Sequence, residues 1–543
     1  MELLQIAYFL LFLATLTWLL STTFSSSSTS KKAPPNTNVP KVYPIIGSIF
    51  SIAANKHRRI HWISDILLSS PSSSTFTLRR SLGSRQIFTA DPAVVHHILK
   101  SNFPTYHKGP TLHRALGDFL GDGIFNSDGS NWKFQRQLSS HEFNTRSLRN
   151  FVETVVDAEL SNRLIPILSQ RCETAITATC SCDLQDILQR FAFDNICKIA
   201  FGYDPQYLLP SLPTTTFAKA FDDATRISSE RFNCAVPLVW KIKKILNIGS
   251  EKRLRTAVSE VRVLAKKIVD EKKRELEEKK TLQSVDLLSR FLVSGQNDES
   301  FVTDIVISFI LAGRDTTSAA LTWFFSLLAN HPRVEEEVVG EVNQKNHADG
   351  SSVYDELKDM VYTHAALCES MRLYPPVPVD TKEAANDDVL PDGTFVKKGT
   401  RVAYHIFAMG RSEKIWGPDW AEFRPERWLR RDGEGKWAFV GVDPYSYTVF
   451  QAGPRVCLGK EMAFLQMKRI VAGILKEFRV VPAVAEGVVP EYTGYLTSLM
   501  KDHLCKGKTF MLRVGFEPTP FRTRTLIWRL RPTRPSQRFD VNP

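Results

Sequence analysis

No G-x-G-x-x-G run follows a strand pattern anywhere in these 543 residues, so the chain has no recognisable dinucleotide-binding motif of its own. No two histidines stand at H-E-x-x-H spacing, which leaves His96, His97 and His141 as surface or core groups and not zinc ligands. The eight cysteines form no C-x-x-C pair and no framework spacing, which excludes a disulfide scaffold and points to reduced thiols. No internal repeat is visible, so a solenoid is excluded. No basic stripe is interleaved with aromatics, so the formal charge of +12 does not read as a nucleic-acid surface. Part of that excess sits at the end, where residues 513–543 hold seven arginines against Glu517 and Asp540. The rest suits a protein working beside an anionic membrane or an acidic partner protein.

What is present is a globular composition, 43% hydrophobic and 24% charged, with no internal linker, and this predicts one large domain with terminal extensions. Leu3 to Leu20 is uncharged and apolar enough to span a hydrocarbon core. Glu2 stands where a secretory signal would be basic. Lys31 and Lys32 follow the span, and under the positive-inside rule the rest of the chain then stays in the cytoplasm. The expected organisation is a membrane anchor over 1–23, a Ser- and Pro-rich linker over 24–44, the main domain over 45–501 and a basic tail over 502–543. Short β-like runs open the domain at 76–83 and 85–90, and a second β-rich patch spans about 382–407 around the turn Pro391-Asp392-Gly393. Helical periodicity dominates from Ser101 onward, and residues 251–280 read as a charged, solvated helix. The fold class is mainly α with a small β-rich portion.

Residues 450–459 read FQAGPRVCLG, just before a helical pattern over 460–478. Cys457 there suits an iron thiolate, because backbone N–H groups and a helix N-terminus stabilise an anionic sulfur. Gly453 and Gly459 permit close backbone approach, Arg455 supplies a fixed charge for a haem propionate, and Phe450 can cover the sulfur. This loop resembles the haem-binding loop of the cytochrome P-450 superfamily. The resemblance implies a cytochrome P-450 fold behind an N-terminal transmembrane helix, haem b as cofactor, dioxygen as co-substrate, and electrons that come from NADPH through a separate reductase. It also implies a single-pass anchor in the endoplasmic reticulum membrane.

Residues 301–329 form an apolar pattern ended by His331-Pro332, and Ala312-Gly313-Arg314-Asp315-Thr316-Thr317 interrupts it. A mid-helix Gly costs roughly 1 kcal/mol relative to Ala, and buried polar groups need partners. Thr316 can bond back to its own helix, or it can organise water for proton delivery to oxygen with Asp315 as relay and Gly313 widening the groove. The order is similar to the family's oxygen-binding groove. Glu369 and Arg372 lie three apart on one helix face, and with Arg427 in PERW they resemble the family's Glu-Arg-Arg lock behind the haem. Trp132 and Arg136 lie four apart and by resemblance bind haem propionates; Lys382 stands on a strand where the family's arginine is missing. Lys133, Lys460, Lys468 and Arg469 are candidates for meeting an acidic flavoprotein.

Resemblance covers about residues 40–501, and the stretches at 131–145, 309–325 and 444–464 look like the plant fatty-acid ω-hydroxylase branch. A related group hydroxylates the jasmonoyl-isoleucine conjugate, which also pairs a carboxylate with an aliphatic end. Family-like positions give Phe125, Phe217, Phe221, Phe309, Val377 and Leu496 as pocket walls. The implied function is insertion of one oxygen atom at the terminal carbon of a fatty acid by a monomer that binds no nucleic acid. A haem sensor, a hydroperoxide isomerase and a chain inactivated by its altered end are the alternatives. After Lys501, where relatives continue with Gly-Gly and a final strand, this chain turns to a segment rich in Arg and Pro.

Overall fold

A computed structural model describes residues 40–69, 74–175, 182–213, 215–279, 286–295, 298–345, 352–480, 490–501, 513–519 and 527–531. The expected anchor, nearly all of the linker and most of the tail lie outside the described residues. Among the described residues no helix is long and apolar enough to cross a membrane.

Ten helices and seven strands position the site. They are α1 (Arg59–Ser69), β1 (Thr75–Arg79), β2 (Arg85–Thr89), β3 (Tyr106–His107), α2 (Gly109–Leu120), α3 (Gly129–Ser140), α4 (Leu184–Phe201), α5 (Thr216–Asn233) and α6 (Pro237–Leu246). After these come α7 (Gly249–Lys279), α8 (Glu299–Ala329), α9 (Val361–Leu373), β4 (Asp380–Ala384), β5 (Arg401–Tyr404), α10 (Lys460–Glu477), β6 (Glu491–Gly494) and β7 (Ser498–Lys501).

The apolar pattern that predicts a helix over 301–329 becomes α8, which starts where the Asp298 side chain accepts from the Ser300 N–H and stops before Pro332. Apolar almost all round, it is buried almost throughout and runs between α4 and α9. The α4 helix begins on an Asp183 cap and ends at Gly202, whose φ of 65° is the left-handed stop that glycine takes without strain. The charged pattern at 251–280 becomes α7. Its Leu254, Val261, Ala265 and Ile268 are nevertheless buried, so only part of its surface is solvated.

The β-like runs join one sheet in the order β1-β2-β5-β4-β3, with β2 and β5 parallel and the other pairs antiparallel. Register aligns Phe88, Ala403 and Thr381 across β2, β5 and β4, and it aligns Gln86, Arg401 and Glu383 two residues away on the same face. The β6–β7 hairpin closes the main domain. In the tail, 513–519 and 527–531 pair antiparallel, and Arg513 and Val514 pair with Asp183 and Cys182.

Candidate active site

A cavity of about 430 Å³ lies between the Cys457 loop and the middle of α8. Cys457 opens onto this interior space, and its backbone N–H donates to the Phe450 carbonyl at 2.8 Å. Burial pushes the thiol up from its ordinary range, while the Gly459 N–H, Arg136 and Lys460 pull it down toward thiolate. Phe450 lines the same wall and packs on Phe464 with ring centroids 5.1 Å apart. Gly459 caps α10 and lines the cavity. Gly453 does not line it. Its φ is +64°, and a Cβ there would stand 2.1 Å from the Leu99 carbonyl oxygen, so this glycine lets the loop press on neighbouring backbone and not on a cofactor.

Beside the loop the wall turns strongly cationic. Arg455 Nη2 donates to Asp128 Oδ1 at 2.7 Å and to the Ser127 carbonyl at 3.0 Å, with its guanidinium 4.3 Å over the Trp132 ring. Arg136 sits 5.9 Å from the same ring, so the predicted Trp132–Arg136 pair does face the cavity. Lys108, which the sequence left unmarked, bonds Asp380 at 2.9 Å from the cavity wall. Lys382 bonds the other oxygen of Asp380 at 2.8 Å; it is buried under Tyr404 and does not line the cavity. Burial brings Lys382 down to about 7, while burial acts against the Asp380 charge and the two lysines hold that carboxyl far below the usual range.

Three lining cations, Lys108, Arg136 and Arg455, thus stand beside two carboxylates, Asp128 and Asp380, with Lys382 behind them sharing Asp380. Arg455 Nε is buried without a partner among the described residues. A ligandable thiol, an unanswered guanidinium N–H and a cationic surplus beside flat apolar walls fit haem with its two propionates.

Thr316 lines the opposite wall, and its hydroxyl donates to the Ala312 carbonyl at 2.6 Å, leaving its oxygen lone pairs open to the cavity. Asp315 points away. It accepts from Arg314 Nη1 at 2.9 Å, and Arg314 reaches on to Asp222 at 2.9 Å, whose side chain is 56% exposed. Burial raises Asp315 to about 6 against the pull of Arg314, and the cavity-lining Thr497 hydroxyl bonds it from the other side. The groove widening expected at Gly313 is absent, since α8 is unbroken there. A Cβ at Gly313 would stand 2.5 Å from Ile196 of α4, so close helix packing explains the glycine.

Behind the cavity Glu369 accepts from Arg372 twice at 2.8 Å, from Arg427 Nε at 3.2 Å and from Trp428 Nε1 at 2.9 Å. Arg372 spends its remaining donors on the Trp420, Glu422 and Gly410 carbonyls. None of the three charged residues touches the cavity.

Phe125, Phe309, Val377 and Leu496 line the cavity as expected. Phe217 and Phe221 do not. They stack with each other and with Phe193 and Phe119 inside the α2–α4–α5 core, and Arg314 lies 5.2 Å from the Phe221 ring. Lys133 and Lys460 are exposed. Lys468 is buried on the Leu357 carbonyl and Arg469 is paired with Asp157, so neither is free to meet a partner.

The cytochrome P-450 family model matches residues 38–504. Cytochrome P-450 94A2 of Vicia sativa is 66% identical over 507 residues, covering 92% of this chain and 97% of its own. Cytochrome P-450 94A1 of the same plant is 64% identical over 464 residues, with 85% and 89% covered. Cytochrome P-450 94B1 of Arabidopsis thaliana is 46% identical over 477 residues, with 87% and 92% covered. With the thiol, the cationic wall and the α8 groove around one cavity, the chain belongs to the cytochrome P-450 family of monooxygenases, which use haem iron, dioxygen and reductase-supplied electrons.

Proposed function

We propose that this monooxygenase hydroxylates the terminal carbon of fatty acids. The observation that carries the reading is the apolar stretch of the cavity wall that shares the space with Thr316, formed by Leu112, Leu116, Leu120, Ile124, Phe309 and Leu311. Such a wall suits an alkyl chain.

Haem supplies the redox chemistry at which dioxygen is activated. Cys457 Sγ is the group to hold its iron, and Lys108, Arg136 and Arg455 its carboxylates. Thr316 Oγ1, whose proton goes to the Ala312 carbonyl, can accept a hydrogen bond from a water at the wall and so hold a proton donor there. Asp315, raised by burial to about 6 and joined through Arg314 to exposed Asp222, is mostly ionised at neutral pH yet protonates within reach of it, which suits a relay that takes up a proton and passes it on toward Thr316.

Membrane association belongs to the same reading. The α6 helix exposes Leu238 at 61% and Ile245 at 83%, and Val42, Ile45 and Phe50 are exposed on the segment that Arg80 ties to Cys234 just before it. This apolar patch suits a bilayer surface. The uncharged run at 3–20 would add an anchor in the endoplasmic reticulum, with the catalytic domain facing the cytoplasm.

Microsomes carrying the chain, given reductase and NADPH, test the reading with lauric acid, oleic acid and the jasmonoyl-isoleucine conjugate in parallel. ω-Hydroxy acids are the expected main products. No product from either fatty acid beside rapid turnover of the conjugate overturns the assignment. In the same assay Thr316→Ala should send most NADPH electrons to peroxide, lowering product per NADPH by roughly 10²-fold; unchanged coupling removes Thr316 from proton delivery. Deleting residues 1–23 should move much of the protein out of the membrane pellet, and full retention rules out a sole anchor.

A further inference from the structure

Apart from the Cys457 loop, the cavity carries a second set of polar groups, on the wall made by α1, the β1–β2 hairpin and the end of α5. Arg59 lines this wall and makes no hydrogen bond or ion pair with any described residue. Arg80 lines it too, bonding the Gln86 side chain at 2.9 Å and the Cys234 carbonyl. Behind them Arg401 bonds Gln86 Oε1 at 2.5 Å and the Phe232 carbonyl at 3.3 Å. Among the described residues no carboxylate is bonded to any of the three. Glu383, which acts on Arg401 from a distance, instead accepts from the Thr111 N–H at 3.3 Å.

The adjoining end of the sheet adds two orphaned polar atoms. His405 follows β5 and is 1% exposed, and its Nδ1 accepts from the Ala408 N–H at 3.1 Å. That bond fixes the tautomer, so Nε2 carries the proton. Nε2 has no partner, and His405 lines the cavity. The Thr381 hydroxyl, likewise buried, unpartnered and on a lining residue, stands in the row of Phe88 and Ala403. Arg59 is close enough to His405 to help depress it. Burial first, then Arg59, His61 and Arg411, bring the imidazole to about 3, so it stays neutral and donates only through Nε2. Burial and Arg80 bring Arg59 to about 10, which leaves it charged at neutral pH.

Buried cations without an anion are costly, and unmatched donors add the desolvation of each group. A planar anion answers all of them at once. We propose that Arg59 and the Nε2–H of His405, backed by Arg80 and the Thr381 hydroxyl, hold the carboxylate of the substrate, leaving its alkyl tail to reach the Cys457–Thr316 end of the same cavity. The proposal rests on the fatty-acid reading above and gives it a mechanism for regiochemistry. With the head fixed at one wall, the carbon farthest from it meets the oxidising end. It also sets specificity, because a site built to pair a carboxylate rejects an ester or alcohol that leaves these donors empty.

The test is calorimetric binding of laurate and methyl laurate to the purified haem-loaded full chain. Wild type should bind laurate more tightly than the ester. Arg59→Gln should weaken laurate by roughly tenfold or more and leave methyl laurate unchanged, and Arg80→Gln should give a smaller loss of the same kind. The ester reports on the fold of each variant. If both variants bind laurate like wild type, or both lose acid and ester alike, the clamp is wrong while the fatty-acid reading stands. If wild type binds neither ligand, both fall together.

Discussion

Two buried arginine clusters in this molecule have opposite bookkeeping. Around Glu369, the Arg372 and Arg427 guanidiniums close on a carboxylate, an indole N–H joins them, and backbone carbonyls and the Asp419 carboxylate take the remaining donors. Around the cavity, Arg455 Nε, Gln466 Nε2, His405 Nε2 and Thr381 Oγ1 are buried without partners among the described residues, and Arg59 has no acceptor among them. The first cluster is complete as protein and holds the fold. The second is open toward the cavity, and in the reading proposed above its donors would be answered by the carboxylates of haem and of the substrate.

The severest challenge to that contrast is Cys457→His. Its side chain lines the cavity and accepts from the Gly459 N–H, outside the three hydrophobic core clusters, so the helical content should survive. The red-shifted band of the reduced carbon monoxide complex and all oxygenase activity should vanish. A persistent band would mean that another residue holds the iron.

Glu369→Gln attacks the complete cluster instead. Arg372 loses its counter-charge and Arg427 keeps only Asp419, and breaking a buried pair from one side costs about 3–5 kcal/mol. A lowered melting temperature and haem loss on gel filtration should follow, with the product pattern of the surviving fraction unchanged. A variant as stable as wild type, or one with altered products, would erase the distinction between the clusters.

The complete cluster was readable in the sequence because its parts are local: Glu369 and Arg372 share a helix face, and Arg427 sits in a compact PERW turn. The Cys457 loop was readable for the same reason. Arg59 and His405 were not, since they meet only after α1 packs against the helical turn Ile406–Met409 that follows β5, and neither has a local pattern. Phe217 and Phe221 failed differently. Four apart on α5, they make an apolar stripe that serves a core as well as a pocket, and only the rotation of α5 against α2 and α4 decides between them. Gly313 was misread because Ile196, the residue that needs the space, is over a hundred positions away. Lys468 offers no local clue to its burial, because the Leu357 carbonyl that holds it lies on another element.

The gentlest measurement sharpens the line between core and cavity. Phe309 lines the cavity and Phe221 does not. A terminal methyl C–H is stronger than its methylene neighbour, so attack at the chain end depends on walls that keep the inner carbons away. Phe309→Ala should therefore move oxygen toward in-chain positions, changing the ratio of ω to in-chain alcohols severalfold while total turnover survives, because a shape change of a few methylenes is worth about 1–3 kcal/mol of discrimination. Phe221→Ala should lower stability by about 3–5 kcal/mol through the void left beside Phe119 and leave the product ratio alone. Mass spectrometry of laurate products beside thermal unfolding of each variant separates the two roles. A shifted ratio in Phe221→Ala, or an unshifted one in Phe309→Ala, would put the wall of the substrate space on different residues.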